Sequence, residues 1–215
     1  MRPALFALLL AASPALAEIR PNLDPAAPAA PGAVALLLAA QNLYALGQAA
    51  KDPLLVVTAA RMMRGLALIE SPRIPESTGK PALGDHTLPD PEAMFATARA
   101  LDPGETLTDL IEAIATETPP PPKALRATAS QLAPGLSDIW TIPFYGGSYA
   151  ELAILGSATG NLDLSITDAG GALICQDNGS ADTAYCGFVP RDNGDFTVTV
   201  INSGQSPDAY QLITN

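Results

Sequence analysis

The chain is 215 residues long, 48% hydrophobic, with a formal net charge of −11, one histidine and two cysteines. That length can bury one large core or two small ones. The acidic balance argues against nucleic acid and anionic lipid as partners, and a single histidine excludes H-E-x-x-H metalloenzyme chemistry.

Residues 1–17 read as a secretory signal. Arg2 is the positive n-region, Ala4 to Ala12 the apolar run, and Ala15-Leu16-Ala17 the small-x-small site before Glu18. The run falls short of the ~20 residues a membrane span needs, and losing Arg2 takes the charge from −11 to −12. No later segment is expected to cross a bilayer, so the mature chain is expected in the periplasm or outside the cell. Residues 18–32, with Pro21, Pro25, Pro28 and Pro31 among alanines, form an extended arm.

Residues 33–118 read as helical. Leu36, Ala40, Leu43, Gly47 and Ala50 share one face of a first helix. Asp52-Pro53 caps and opens a second, carrying Leu55, Ala59, Met62, Leu66 and Ile69, and the two make an αα-hairpin. Ser71 to Pro89 is a loop. Asp90-Pro91 opens a third helix to about Leu101. Asp102 and Glu105, at capping-box spacing, open a fourth with Leu107, Leu110, Ile111 and Ile114 on its apolar edge.

Leu43, Leu46, Gly47, Ala50, Ala59, Met63, Leu66 and Pro72 fall near the signature positions of a tetratricopeptide-type repeat. The stretch Leu38 to Pro72 resembles that family in degenerate, TPR-like form, with aliphatic and small residues in place of its large aromatics. The resemblance implies a groove for a protein partner of the cell envelope.

Residues 119–137 read as a linker: Pro119 to Pro122 as a polyproline II run, then Lys123 to Leu132 as a short helix before Pro134-Gly135. Residues 138–215 alternate throughout. Leu162, Leu164 and Ile166 interleave with Asp163, Ser165 and Thr167, and Asp168-Ala169-Gly170-Gly171 supplies a reversal, so this segment opens a β-hairpin. The same pattern predicts seven strands: 139–144, 150–155, 162–167, 172–176, 184–189, 196–201 and 209–214. The fold class expected is two-domain α + β, a helical domain followed by an antiparallel, jelly-roll-like β-sandwich.

Trp140 to Phe144 before a Gly turn, Leu162 to Asp168 leading to Gly170-Gly171, Gly194 to Val200, and Tyr210-Gln211-Leu212 occur in an order and spacing that resemble the bacterial pre-peptidase C-terminal (PPC) domain. The resemblance implies a secreted accessory sandwich used for export, stability or binding of an extracellular polymer. No peptidase is read in the 137 residues ahead of it, and the cysteine pair is not a general feature of that family.

Cys175 and Cys186 are expected to pair in an oxidising compartment, contributing about 3 kcal/mol by loop entropy. His86 lies in a polar loop beside Asp85 with no nucleophile motif nearby, and is read as an exposed loop residue rather than a base. Oxygen donors gather in two turns, at Asp177 and Asp182 and at Asp192 and Asp195, as Ca²⁺ ligation requires; Asx and Gly are also ordinary turn residues. Asp163 and Asp168 are expected to face solvent. Trp140 is expected in the core, and Tyr145 and Tyr149, flanking Gly146-Gly147, are the rings placed to touch a glycan or partner. The reading is an exported, non-enzymatic protein without a required cofactor, its helical domain for protein interaction and its sandwich for docking. The alternative is a Ca²⁺- or polysaccharide-binding accessory protein.

Overall fold

The computed structural model describes residues 20–25, 31–79, 86–157 and 160–215. The expected signal, Pro28 and Asp85 lie outside them. Within these residues four helices form: α1 (Ala33–Ala50), α2 (Pro53–Met63), α3 (Pro91–Ala100) and α4 (Thr108–Thr116). Ten strands accompany them: β1 (Leu66–Glu70), β2 (Glu76–Ser77), β3 (Lys123–Leu132), β4 (Ser137–Phe144), β5 (Ala150–Gly156), β6 (Leu162–Asp168), β7 (Leu173–Asp177), β8 (Thr183–Phe188), β9 (Gly194–Asn202) and β10 (Asp208–Thr214).

The strands make two five-stranded sheets, β1-β3-β10-β5-β8 and β2-β4-β9-β6-β7, paired antiparallel except for β1 with β3. Strands β4 to β10 match the seven expected ones to within two residues. In β6, Leu162, Leu164 and Ile166 are at most 1% exposed, as alternation requires. Gly171 takes φ +80° in the reversal that follows.

The helices cover the outer face of the first sheet. Leu125, Ala153, Leu155 and Ile213 point away from the sandwich and join one core with Leu37, Val57, Phe95 and Ile111. Trp140, Leu152, Ile154, Leu164, Phe196 and Leu212 fill the other core, between the sheets. Strand β5 is therefore buried on both faces from Ala150 to Leu155, which explains its nearly continuous apolar run.

A buried carboxylate fastens the helices to this sheet. The α1 N-terminus has no side-chain cap of its own. Instead Glu151 of β5, fully buried, accepts from the N–H groups of Gly32 (3.0 Å), Val34 (3.2 Å) and Ala35 (3.1 Å) and from the Tyr185 hydroxyl (2.9 Å). The anion thus meets orphan donors at the positive end of the helix dipole. A Cβ on Gly32 would collide with the Glu151 carboxylate.

Several local expectations are corrected. The second helix stops at Met63, and Leu66 to Glu70 pair with β3 instead, so the TPR-like reading does not extend through Leu66 and Pro72. Lys123 to Leu132, expected as linker and short helix, is a ten-residue strand between β1 and β10. Ala and Leu suit either state; the alternation of Leu125 and Ala127 against Thr128 and Ser130 decides it once both faces find partners. Asp102 accepts from Thr106 and Leu107 N–H, but Glu105 takes φ +54° and delays α4 to Thr108. Asp52 and Asp90 cap as expected. Helix α1, 18 residues with mean hydropathy 1.3, is long and apolar enough by length and composition to cross a membrane, contrary to expectation. Ala33, Val34, Leu37 and Ala40 of this helix are spent on the core it shares with the sheet.

The sandwich is tied at both edges. Cys175 of β7 and Cys186 of β8 form a disulfide with Cα atoms 6.0 Å apart, joining the two sheets at one edge. At the other edge the chain itself crosses from β1 to β2.

Candidate functional site

The space between the sheets ends differently at its two openings. At one end Asp138, 1% exposed, accepts from the hydroxyls of Ser130 (2.7 Å), Tyr210 (2.6 Å) and Ser77, and Trp140 Nε1–H donates to Tyr210 (3.1 Å). Burial and then the Asp138 charge push the Tyr210 phenol pKa up, so it stays protonated and donating. Each group here is spent on another, and the cluster knits β2 and β4 to β3 and β10.

At the opposite end lies a concavity of about 560 Å³, whose wall includes Arg73, Arg126, Tyr145, Ser148, Tyr149 and Thr214. The register that pairs Arg126 with Thr214 carries both toward the interior side of the first sheet, where the sandwich opens. Arg73 comes from the crossing between β1 and β2 and donates from Nη1 and Nη2 to Thr214 Oγ1, both at 3.1 Å. Desolvation, then the like charge of Arg126, push the Arg73 pKa down. Among the described residues the ion pairs are Arg61–Glu117 and Arg99–Glu112, so neither mouth guanidinium is neutralised by a carboxylate.

Tyr145 follows β4 and is 76% exposed. Its turn is pinned: Gly146 N–H donates to Asn193 Oδ1 and Gly147 N–H to Pro190 O, each at 2.8 Å. Beneath it, Phe144, Phe188 and Phe196 pack with ring centroids 5.3–5.7 Å apart. Tyr149 is half-buried, its hydroxyl 3.1 Å from that of Tyr185. The Tyr185 phenol pKa is pushed up by burial, then by Tyr149 and Glu151. One ring is thus free to meet a ligand and the other is anchored.

The acidic turns lie elsewhere. Asp177 accepts from Gly179 N–H (3.3 Å) and Tyr185 N–H (3.1 Å). Asp182 precedes β8 and its carbonyl accepts from Gly156 N–H. Asp192 exchanges backbone hydrogen bonds with the Asn22 side chain, and Asp195 is the second residue of β9. The two pairs sit at opposite ends of β8, and among the described residues no cluster of three or more Asp, Glu, His or Cys could hold a metal ion. Asp168, expected in solvent, is 7% exposed. It accepts from Gly170 and Ala172 N–H within its turn and from Asn22 N–H, at 2.7 Å, of the N-terminal arm. His86 is half-buried, and its carbonyl accepts from Gln211.

Tyr145 and Tyr149 line the same concavity, Tyr145 exposed and Tyr149 half-buried, while Arg73 and Arg126 escaped sequence reasoning. They lie in stretches read as loop and linker. The signal available was the period-2 pattern Leu125/Ala127 against Arg126/Thr128.

No family model and no curated protein matches the chain. Solved structures similar to it include the pre-peptidase C-terminal domain of a collagenase from Bacillus anthracis, at 13% identity and TM-score 0.33, covering 40% of this chain and 86% of that one. A periplasmic inhibitor of g-type lysozyme from Aeromonas hydrophila is similar at 10% identity and TM-score 0.32, covering 42% and 84%. A carbohydrate-binding module of a Cellvibrio mixtus lichenase, in complex with cellotriose, is similar at 11% and 0.28, covering 40% and 77%. Likenesses of this size do not identify a family.

Proposed function

We propose that this is an exported, non-enzymatic protein that binds a polysaccharide of the periplasm or extracellular space at the open end of its sandwich. The observation that carries the reading is Tyr145, a ring 76% exposed at the wall of a 560 Å³ concavity that also presents Tyr149, Ser148 and Arg side chains. A rigid ring with an apolar face beside fixed polar groups suits a sugar, which offers C–H on its faces and hydroxyls at its edges. The PPC-like sandwich and the disulfide fit an accessory role in an oxidising compartment. Affinity electrophoresis through a panel of soluble polysaccharides tests it: at least one should retard the native chain and release the Tyr145→Ala variant. If none retards the native chain, the reading fails.

A second reading is a protein partner of the cell envelope held by the helical half. It is favoured by an apolar groove of about 430 Å³ lined by Leu36, Met62 and the exposed Pro119 to Pro121. Cross-linking from a periplasmic extract should then enrich one protein on the native chain and lose it on Met62→Glu.

A further inference from the structure

We propose that the mouth of the sandwich selects a carboxylate-bearing sugar, a uronate, with Arg73 and Arg126 taking the carboxylate while Tyr145 covers the ring; this rests on the polysaccharide reading above. Beyond Ser137 the only basic residue is Arg191. The two guanidiniums at the mouth come from earlier in the chain, from the crossing after β1 and from β3. Among the described residues Arg61 and Arg99 are paired with carboxylates. Arg73 and Arg126 instead face one another's field, and Arg73 spends two N–H groups on one threonine hydroxyl.

Among the described residues no carboxylate pairs with either guanidinium, and a ligand carboxylate would supply that partner. The planar guanidinium matches a carboxylate with two parallel N–H···O bonds. Ser148 lines the same wall, is exposed, and suits a ring hydroxyl. The net negative charge repels a dense polyanion at long range. The fitting ligand therefore carries its carboxylate on a short or sparsely charged chain.

The test compares trigalacturonate with its fully methyl-esterified form, which keeps the sugar and removes the charge, by calorimetry on the native chain. The acid is expected to bind at least roughly tenfold tighter, the worth of one charge-assisted contact. Arg126→Gln, at an exposed position, should erase that preference at unchanged melting temperature, and Tyr145→Ala should weaken both forms. Arg73→Gln should act like Arg126→Gln; if it does not fold, Arg126→Gln alone decides. Equal binding of acid and ester would overturn uronate selection and leave polysaccharide binding standing. Sodium sulfate competing as well as trigalacturonate would overturn it in favour of a bare anion site. Binding of neither form, with every neutral polysaccharide also inert, would overturn the underlying reading as well.

Discussion

The two ends of the sandwich use charge in opposite ways. At the Asp138 end a buried carboxylate receives three hydroxyl donors and a tryptophan extends the chain of bonds, so the charge is satisfied within the fold. At the Arg73 end two guanidiniums share one concavity without a carboxylate partner among the described residues. A charge fully satisfied within the fold reports on stability. A charge left unsatisfied in a concave, ring-lined opening reports on a ligand.

The sharpest way to break that contrast is Asp138→Ala, which strands the donors of Ser77, Ser130 and Tyr210. It should cost about 3–5 kcal/mol in chemical denaturation, as removing one member of a buried charged network does. A loss no greater than that of a mouth variant would erase the distinction between the ends. Next is Glu151→Gln, which keeps the volume and removes the charge from three N–H groups of α1; about 1–2 kcal/mol should be lost, seen in the same experiment.

Asp168 extends the comparison to pH. Burial raises its pKa, but backbone donors from Asn22, Ala172, Gly170 and Gly171 together outweigh this and hold it below the ordinary carboxylate value. A depressed folded pKa gives stability that is complete above the unfolded value and is lost as pH falls through the folded one. Release of the arm at Asn22 should thus appear only below about pH 4, read as faster amide exchange there, while Asp168→Asn shows it at neutral pH. The smallest effect belongs to Arg126→Gln, whose stability should stay within about 0.5 kcal/mol of the native chain, as at unpaired surface sites. A large destabilisation there would assign the mouth a structural role.

Much of the sandwich was legible because its pattern is local. Leu162 to Ile166 alternate cleanly, and Asp168 to Gly171 can hardly do anything but turn. Strand β3 was not legible: Ala124, Ala127 and Ala129 suit a helix as well as a strand, and its partners β1 and β10 lie far away in both directions along the chain. Strand β2, two residues long, has no pattern to read. Tyr145 stood out as a ring beside a glycine turn, whereas Arg73 and Arg126 gain meaning only from the pairing that brings them to Thr214. Charge gave the same lesson at Glu151, whose partners are backbone N–H groups more than a hundred residues away.

The wedging of β3 between β1 and β10 has a practical outcome. A nick in the exposed run Pro119 to Pro122 would leave two pieces still joined by a strand ladder, an edge pair at β2 and a layer of helix on sheet. They should co-elute, and the two halves, produced separately and mixed, should reconstitute the whole by complementation, since the C-terminal piece alone leaves a greasy sheet face without its cover.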